Sequence, residues 1–399
     1  MKPFNLRRRV LLLGGAGLAW PPLAAVAADA QVSAVATHAQ VSAVATHAQV
    51  SAVATHAPLG VQPRPLLFPA DFGAHPDTRL EWWYLTGALD AADAPDRTAA
   101  FGFQITFFRS RTNVPAHHPS RFAATHLYFA HVALTDVRAR TMRYDQRIAR
   151  GGFGRAAAAP GDTRVVLGDW LLQRDGAVVA PRYRAQIASE SSGFAFDFTF
   201  LATQPLLLQG DAGYSRKGPQ PEQASHYYSV PQLALSGQLR QGGKLLRIKG
   251  QAWLDHEWSN APLDRGAVGW DWVGMNLDDG SALTAFRLRR ADGTALYAGG
   301  SFRRRDGAAL AFAPGEVRFT PGRTWRSPAS NAAYPVAWSI ETPAGRFEVV
   351  SLLDNQELDS RNSTGAIYWE GLCELREPAG RRIGRGYLEM TGYAAALRL

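Results

Sequence analysis

The 399-residue sequence contains a single cysteine, Cys373. A chain with one cysteine cannot form an internal disulfide, so its stability must come from packing. After the first 27 residues, the sequence also lacks any block of basic residues beyond Arg303, Arg304 and Arg305. Clustered lysine and arginine are typical of a nucleic-acid-binding face. We therefore expect no nucleic-acid partner.

Motifs of several common enzyme classes are missing as well. The sequence has no G-x-S-x-G, no H-E-x-x-H, no P-loop and no glycine pattern for dinucleotide binding. A serine triad need not be adjacent in sequence, but nothing in this sequence indicates one. We predict neither a cofactor nor a metal site, and a hydrolase is the least favoured enzyme class.

The first 27 residues have the three parts of an export signal. A basic stretch with Arg7, Arg8 and Arg9 precedes the apolar run LLLGGAGLAW, and AAVA precedes Ala28. The apolar run is too short to span a bilayer. We predict a cleaved signal peptide and a periplasmic or secreted protein. The three arginines leave the twin-arginine and the ordinary secretory routes open.

Residues 30–56 repeat the nine-residue sequence AQVSAVATH three times. We interpret residues 28–69 as a disordered linker between the signal and the folded part. Each repeat ends in a histidine, and histidine-bearing tracts can bind metals. Nine residues is a long spacing for preorganised ligands, so a spacer is the favoured interpretation.

From Leu80 onward, short aromatic and β-branched segments alternate with turn sequences such as DDGS, ADGT and PAGR. This spacing is typical of an all-β sandwich or barrel. The stretch 203–245 carries several prolines and indicates a long connection. We therefore predict an N-terminal domain, residues 70–235, and a C-terminal domain, residues 236–399. The predicted strands are 81–89, 99–108, 125–134, 192–201, 245–254, 269–277, 281–290, 346–353 and 386–393.

The segment QAWLDHEWSN, residues 251–260, places two acids and a histidine between two tryptophans at the end of a predicted strand. Alternation along the strand puts Trp253, Asp255 and Glu257 on one face. Leu254, His256 and Trp258 share the other face. A second carboxylate and an apolar wall both raise a carboxyl pKa, and a carboxyl that is protonated near neutrality is a general acid. The alternative is a strand end at which these residues form ion pairs with arginines.

The predicted strand that begins EWWYL carries another acid, Glu81, which is expected to be buried. Alternation puts Glu81 and Trp83 on one face and Trp82 on the other. Burial of a glutamate is unfavourable unless the carboxylate is paired. Arg79 and Arg109 are the candidate partners. The alternative to a binding site is a structural role, in which the aromatic side chains of this strand fill the interior of one barrel.

Eight segments, taken together, resemble the carotenoid 1,2-hydratase/AttH-type family. They are HPDTRLEWWYLTGAL, QITFFR, HLYFAHVALTD, SHYYSVP, WLDHEWS, GWDWVGMNLDDG, YWEG and GYLEMTGY, in the family's order over about residues 70–395. The resemblance implies two lipocalin-like antiparallel β-barrel domains. It also implies a hydrophobic small-molecule ligand, an isoprenoid or a lipid, with an envelope transporter as a candidate partner.

The resemblance further implies that Asp255 is the proton donor. Trp253 stands where the pigment hydratases have a tyrosine, and His226 and Tyr228 match an upstream pair of the family, so these four residues form the implied catalytic set. The implied reaction protonates an isolated alkene of an isoprenoid, and water adds to the resulting carbocation. The implied substrate-binding residues are Trp82, Trp83, Glu81, Glu257, Trp270 and Trp272.

Three departures from the pigment hydratases leave the function open, the first being Trp253 in place of a tyrosine. Glu257 replaces an asparagine and Ser259 replaces a glycine, which places the chain with the secreted branch of the family. One hypothesis is a hydro-lyase that adds water to a prenyl or terpenoid alkene. The other is a non-catalytic envelope protein that binds or delivers a lipophile. An Asp255 buried in a pocket would favour the enzyme, whereas an exposed Asp255 paired to arginine would favour the carrier.

Overall fold

The structure, a computed structural model, describes residues 60–94, 100–261 and 263–397, which belong to one compact unit. Its regular secondary structure consists of β-strands and one 3-10 helix, Ala70–Phe72. This confirms the predicted all-β class. Within these residues, no helix is long and apolar enough to cross a membrane. The predicted signal peptide and the nine-residue repeats lie outside the described residues.

Thirteen strands form the first sheet, in the order β4-β3-β2-β1-β13-β12-β9-β8-β7-β6-β5, with β10 and β11 both paired to β12. Their bounds are Leu80–Ala91 (β1), Phe101–Arg111 (β2), His126–Asp136 (β3), Thr141–Arg150 (β4), Ala156–Ala158 (β5), Arg164–Leu167 (β6), Trp170–Asp175 (β7), Arg182–Ser189 (β8), Phe194–Leu201 (β9), Leu207–Leu208 (β10), Tyr214–Arg216 (β11), Ala224–Gln241 (β12) and Lys244–Ser259 (β13).

The second sheet has ten strands in the order β17-β16-β15-β14-β25-β24-β22-β21-β18, with β23 paired to β24. A small two-stranded sheet, β19-β20, accompanies it. The bounds are Gly269–Leu277 (β14), Ala282–Arg289 (β15), Ala295–Arg303 (β16), Ala309–Phe312 (β17), Arg318–Pro321 (β18), Thr324–Arg326 (β19), Ala333–Pro335 (β20), Ala337–Thr342 (β21), Gly345–Ser351 (β22), Glu357–Ser360 (β23), Ala366–Arg376 (β24) and Arg382–Met390 (β25).

Each sheet curls around a core of its own, as the predicted lipocalin-like barrels do. The first sheet brings β4 and β3 near β6, and a bridge between Gly152 and Ala156 links its two ends. Its core is rich in phenylalanine, with stacked or edge-on rings along β9. The second core centres on Trp338, Trp369 and Tyr334, all at most 1 % exposed.

The sheets meet along a separate aromatic layer, which we call the inter-sheet cluster. Cross-sheet hydrogen bonds reinforce it: Asn276 donates to the Ala252 carbonyl at 3.0 Å, and Gln232 donates to the Ser281 carbonyl at 2.8 Å. Buried aromatic packing with satisfied polar groups favours a fixed arrangement of the sheets. The buried members of the cluster are Tyr84, Leu207, Trp253, Trp272, Ala282, Phe286, Leu372 and Tyr387.

The first sheet extends further along the chain than the sequence suggested. The predicted boundary at 235/236 falls inside β12, which pairs with β9 and β13 of the first sheet. The change of sheet occurs between Ser259 and Gly269. The hairpin between β12 and β13 turns at Gly242 and Gly243, both with positive φ, so the chain returns to the same sheet.

Much of the predicted connection 203–245 is strand. Pro231 makes this strand hard to predict from the sequence, because proline rarely occurs inside a strand except at an edge or a bulge. The register between β12 and β13 shifts between Val230 and Leu233, and Gln232 has a φ of 56°. This irregularity accommodates the proline in an 18-residue strand.

The predicted linker also ends earlier than residue 69. Val61 is a buried member of the first core, and Leu66 and Phe68 pack against that core. The Phe68 ring meets the Tyr228 ring edge-on, with centroids 5.3 Å apart. Residues 60–69 are therefore part of the folded unit.

Candidate active site between the two sheets

Alternation along β13 separates two sets of side chains, as predicted. Trp253 belongs to the inter-sheet cluster, and Asp255 and Glu257 share its face. Leu254 and Trp258 belong to the core of the first sheet. The strand therefore presents its acids to the second sheet and its histidine to the interior of the first.

Asp255 is 3 % exposed and receives three hydrogen bonds. Trp253 Nε1 donates to Oδ1 at 2.6 Å, and Ser229 Oγ donates to the same oxygen at 2.5 Å. The Tyr227 hydroxyl donates to Oδ2 at 2.7 Å. Tyr227 and Ser229 alternate on β12, which lies beside β13 in register. The carboxyl is therefore held in one orientation by two strands.

Burial raises the pKa of Asp255 to about 7. The three donated hydrogen bonds act in the opposite direction, and the Glu257 carboxylate adds to the rise. Burial dominates because an unpaired carboxylate loses most of its hydration in such a site. At neutral pH the Asp255 carboxyl therefore exists in both protonated and ionised forms, which is what a general acid requires.

This pKa predicts a pH-dependent contribution to stability. The folded pKa lies above the ordinary aspartate value, so the stabilisation is complete below about pH 4 and disappears as the pH rises through 7. Asp255→Asn has no such proton to lose. From pH 5 to pH 8, we expect the wild type to lose on the order of 3 kcal/mol of unfolding free energy relative to this variant.

Urea unfolding of both proteins at several pH values measures this difference. The buried histidines titrate alike in the two proteins, so their contributions cancel, and both proteins carry Glu389→Gln because the pKa of Glu389 depends on the Asp255 carboxylate. Parallel curves for wild type and Asp255→Asn would show that Asp255 is ionised throughout this range.

Two further carboxyls enter the site from the second sheet. Glu389 on β25 accepts a hydrogen bond from Trp270 Nε1 at 2.9 Å, and Glu370 on β24 accepts one from the Tyr84 hydroxyl. Burial raises the pKa of Glu389 to about 7, and the Asp255 carboxylate is among the charges that add to the rise. Burial and Glu389 raise the pKa of Glu370 well above its usual value. The site therefore combines three carboxyls whose pKa values are all raised by burial.

Aromatic rings line the inter-sheet site around these carboxyls. The Trp272 ring packs edge-on against both Tyr84 and Trp253, with centroids 5.2 and 6.4 Å away. This packing requires Gly274, because a Cβ there would lie 2.3 Å from the Trp272 ring and 3.2 Å from the Trp253 ring. The walls are thus apolar, while the polar groups that reach the interior are acids and phenols.

The opposite face of β13 carries a buried ionic network. Glu81 is fully buried and accepts hydrogen bonds from Arg109 Nε at 2.8 Å and from His256 Nε2 at 3.0 Å. Of the two predicted arginine partners, Arg109 is the one that pairs with it. His75 Nδ1 lies 2.8 Å from Glu81, and its Nε2 lies 2.9 Å from Asp71. The network joins β1, β2 and β13 to the segment before β1.

The pKa values within this network follow from burial and pairing. Burial alone would raise the pKa of Glu81, but hydrogen bonds from His256 and His75 hold it well below its usual range. Burial lowers the pKa of His256 to about 4, against the effect of Glu81. A neutral His256 can donate through Nε2 to Glu81 and accept at Nδ1 from the Tyr228 hydroxyl, 3.1 Å away.

By donor type, His75, Glu81 and His256 could ligate a metal ion, since their ligand atoms lie within 4.8 Å of one another. Two observations argue against that use. Both Glu81 oxygens already accept hydrogen bonds from protein donors, and the Arg109 guanidinium neutralises the carboxylate. The geometry fits a satisfied ionic network that positions β13.

A cleft of about 460 Å³ lies between the sheets and is lined in part by Trp253. Small residues of β1 and β13, among them Gly87, Ala88 and Gly250, form one wall, and Arg385 and Gly386 of β25 contribute to the other. The volume is in the range of small-molecule sites. Trp253 is common to the cleft and the acid site, since it lines the cleft and its indole donates to Asp255, which does not itself line the cleft.

The sequence profile of the AttH-like family matches residues 60–393. The chain belongs to the AttH-like family. The crystal structure of a Nitrosomonas europaea protein assigned as AttH is 45 % identical and has a TM-score of 0.76, with 85 % of this chain and all of that chain covered.

Hydratases are also similar to this AttH-like protein. Kievitone hydratase of Fusarium solani subsp. phaseoli is 25 % identical over 264 residues, which cover 65 % of this chain and 72 % of the relative. The structure of kievitone hydratase from Nectria haematococca has the same fold, with a TM-score of 0.61 at 17 % identity over 83 % of this chain and 94 % of that one. At 17 % identity, the likeness to this second structure concerns the fold.

The AttH-like chain brings together part of the predicted site. Trp253 contacts Asp255, while Trp82, Trp270 and Trp272 pack in the same inter-sheet layer. Glu257 lies on this face as well, 3.2 Å from the Lys217 ammonium. These residues surround the inter-sheet site.

Four predicted residues lie elsewhere. His226 and Tyr228 point to the opposite face of β12 from Tyr227 and Ser229, and Tyr228 contacts His256 rather than Asp255. Trp83 lies in the core of the first sheet and Glu81 in the ionic network. The predicted grouping of His226 and Tyr228 with Asp255 is therefore wrong. The residues of β12 that contact Asp255 are their neighbours Tyr227 and Ser229.

Sequence reasoning missed five residues of the site. Tyr227 and Ser229 would follow from strand alternation once 224–241 is recognised as a strand. Glu370 and Glu389 lie in the segments YWEG and GYLEMTGY, but no local pattern connects them with Asp255. Lys217 lies in the stretch interpreted as a connection.

Proposed function

We propose that this protein is a hydro-lyase that adds water to an isolated alkene of a prenyl or terpenoid lipophile. The observation that carries the proposal is Asp255, a buried carboxyl with a pKa of about 7 among aromatic walls. Such a group can protonate an apolar alkene at neutral pH, and it is not paired to an arginine that would keep it ionised. The similarity to kievitone hydratase supports the same class of reaction.

In the proposed reaction, Asp255 transfers its proton to one alkene carbon, and a tertiary carbocation forms at the other. The carboxylate that remains is stabilised by the hydrogen bonds from Trp253, Ser229 and Tyr227. A water molecule then adds its oxygen to the carbocation. Glu389, whose ionised form is also populated at neutral pH, accepts the proton that this water loses. Proton exchange with solvent restores both carboxyls.

The apolar walls have two roles in this proposal. Trp272, Trp253 and Tyr84 exclude bulk water, so that the carbocation meets one water molecule rather than solvent. Their π faces also favour a positive charge nearby. The cleft lined by Trp253 offers an approach for the lipophile from outside the sheets. The N-terminal signal features make export to the periplasm or beyond part of the proposal.

The test is incubation of the protein with a prenylated phenol and with an acyclic carotenoid in oxygen-18-labelled water. We expect mass spectrometry to show the gain of one labelled water by one of the two compounds, and the reverse loss of water from the isolated product. If both compounds bind without change, the protein is a lipophile carrier and the proposed activity is wrong.

A further inference from the structure

Lys217 brings a positive charge to the edge of the candidate active site. Its Nζ lies 3.2 Å from Glu257 Oε1, and the lysine side chain is 24 % exposed. The same Nζ lies 4.3 Å from the centre of the Tyr227 ring, which belongs to the first sheet. It lies 4.5 Å from the centre of the Phe286 ring, which belongs to the second sheet. The ammonium is thus enclosed by two aromatic faces and a carboxylate.

This enclosure has the composition of a cation-binding cage. Aromatic faces and a carboxylate together recognise ammonium groups, and partial burial strengthens the attraction. Tyr227 belongs to the cage through its ring and to the acid site through its hydroxyl, which donates to Asp255 at 2.7 Å. A single side chain, Tyr227, therefore connects the cage with the proton donor Asp255.

A permanent ammonium at this position would oppose the proposed chemistry, because a developing carbocation would be repelled by a like charge nearby. Lys217 lies just after β11, in the turn that leads to β12 and contains Gly218 and two prolines. Two of the hydrogen bonds that hold this turn involve Gln223. The Lys217 amide donates to the Gln223 carbonyl, and Gln223 Nε2 donates to Asp264 at 2.7 Å.

We propose that Tyr227, Phe286 and Glu257 form a cation-binding subsite, which Lys217 fills in the free protein and a cationic centre of the ligand fills after Lys217 withdraws. The inference rests on the proposed function in one respect, since the carbocation would be the natural occupant. The subsite itself should accept any lipophilic ammonium of suitable size. The chemical class of ligand that it selects is therefore an alkyl chain with a compact positive head.

The experiment measures binding of dodecyltrimethylammonium, below its micellar concentration, and of uncharged dodecanol by tryptophan fluorescence. Lys217→Met keeps the side chain's length and removes its charge. We expect this variant to bind the ammonium probe about tenfold more tightly than the wild type does. Binding of dodecanol should change much less, because dodecanol has no positive charge for the vacated cage to attract. Equal affinity of wild type and Lys217→Met for the ammonium probe would overturn the proposal.

Two further variants separate the cage from a general charge effect. Lys217→Arg retains a cation in the cage and should bind the ammonium probe as the wild type does. Adding Phe286→Leu to Lys217→Met should remove the gain, because the cage then lacks one aromatic face. A gain that persists without the Phe286 ring would overturn the subsite. If Lys217→Met does not fold, Lys217→Gln replaces it in the same comparison.

The ammonium probe reports binding without chemistry, so the two proposals fail separately. Ammonium binding that follows the expected order, with no labelled product from either alkene, would contradict the hydro-lyase and support the subsite. Labelled product from the wild type, with ammonium affinity indifferent to Lys217 and Phe286, would contradict the subsite and leave the hydro-lyase in place.

Discussion

Replacing Asp255 by asparagine should lower the rate of alkene hydration by about 10²–10⁴-fold, the usual contribution of general acid catalysis. Asparagine has nearly the same shape, and its oxygen can accept from Trp253 and Ser229 while its amide nitrogen donates to the Tyr227 oxygen, but it has no acidic proton to transfer. Because folding does not require the charge, the variant should still bind the lipophile. The measurement compares initial rates of labelled-water uptake by the two proteins under conditions of equal binding.

The matched control is Asp197→Asn, the same chemical change on an exposed aspartate of the first sheet that pairs with Arg184. It should retain the wild-type rate, since it lies outside the inter-sheet site. Glu389→Gln should slow hydration as well, because the water would lose its proton acceptor. An Asp255→Asn enzyme that hydrates at the wild-type rate would remove Asp255 from the mechanism.

Replacing Arg109 by methionine should lower the free energy of unfolding by about 3–5 kcal/mol. Arg109 is 1 % exposed, and its loss leaves the Glu81 carboxylate buried without its guanidinium partner. Three further hydrogen bonds to His75 and Thr78 are lost with it. The urea midpoint of unfolding, measured by tryptophan fluorescence, should fall accordingly.

The double variant Glu81→Gln with Arg109→Met tests whether charge is the cause. A neutral amide at position 81 removes the uncompensated carboxylate, so the double variant should be more stable than Arg109→Met alone. If the two effects simply add, the destabilisation comes from lost packing of the arginine stem rather than from an unpaired charge.

Alternation along strands made much of the site predictable from sequence. The two-residue period of side chains along a strand was enough to divide residues 253–258 between two faces. A buried Glu81 needed a cationic partner, and the predicted candidates included Arg109. The position of Asp255 beside an indole followed from the same period. Local pattern was sufficient wherever the relevant contacts lay within one strand or between strands adjacent in the sheet.

Two kinds of information were not local. Pro231 concealed a long strand, because only the pairing of β12 with β13 shows that the chain continues through a bulge. Recognition of that strand would have replaced His226 and Tyr228 by Tyr227 and Ser229 as neighbours of Asp255. Glu370 and Glu389 come from another sheet more than a hundred residues later in the chain, and their approach to Asp255 depends on how the sheets dock.

The two faces of β13 also differ in what a substitution can change during evolution. Within six consecutive residues, odd positions face the inter-sheet site, and even positions anchor the strand through His256, its ionic network and the core of the first sheet. Substitutions at 255 and 257 can therefore alter chemistry while the scaffold stays intact, whereas Trp253 also packs in the inter-sheet cluster. Those at 254, 256 and 258 act on folding first. A family built on such a strand can acquire new reactions, or lose catalysis altogether, without acquiring a new fold.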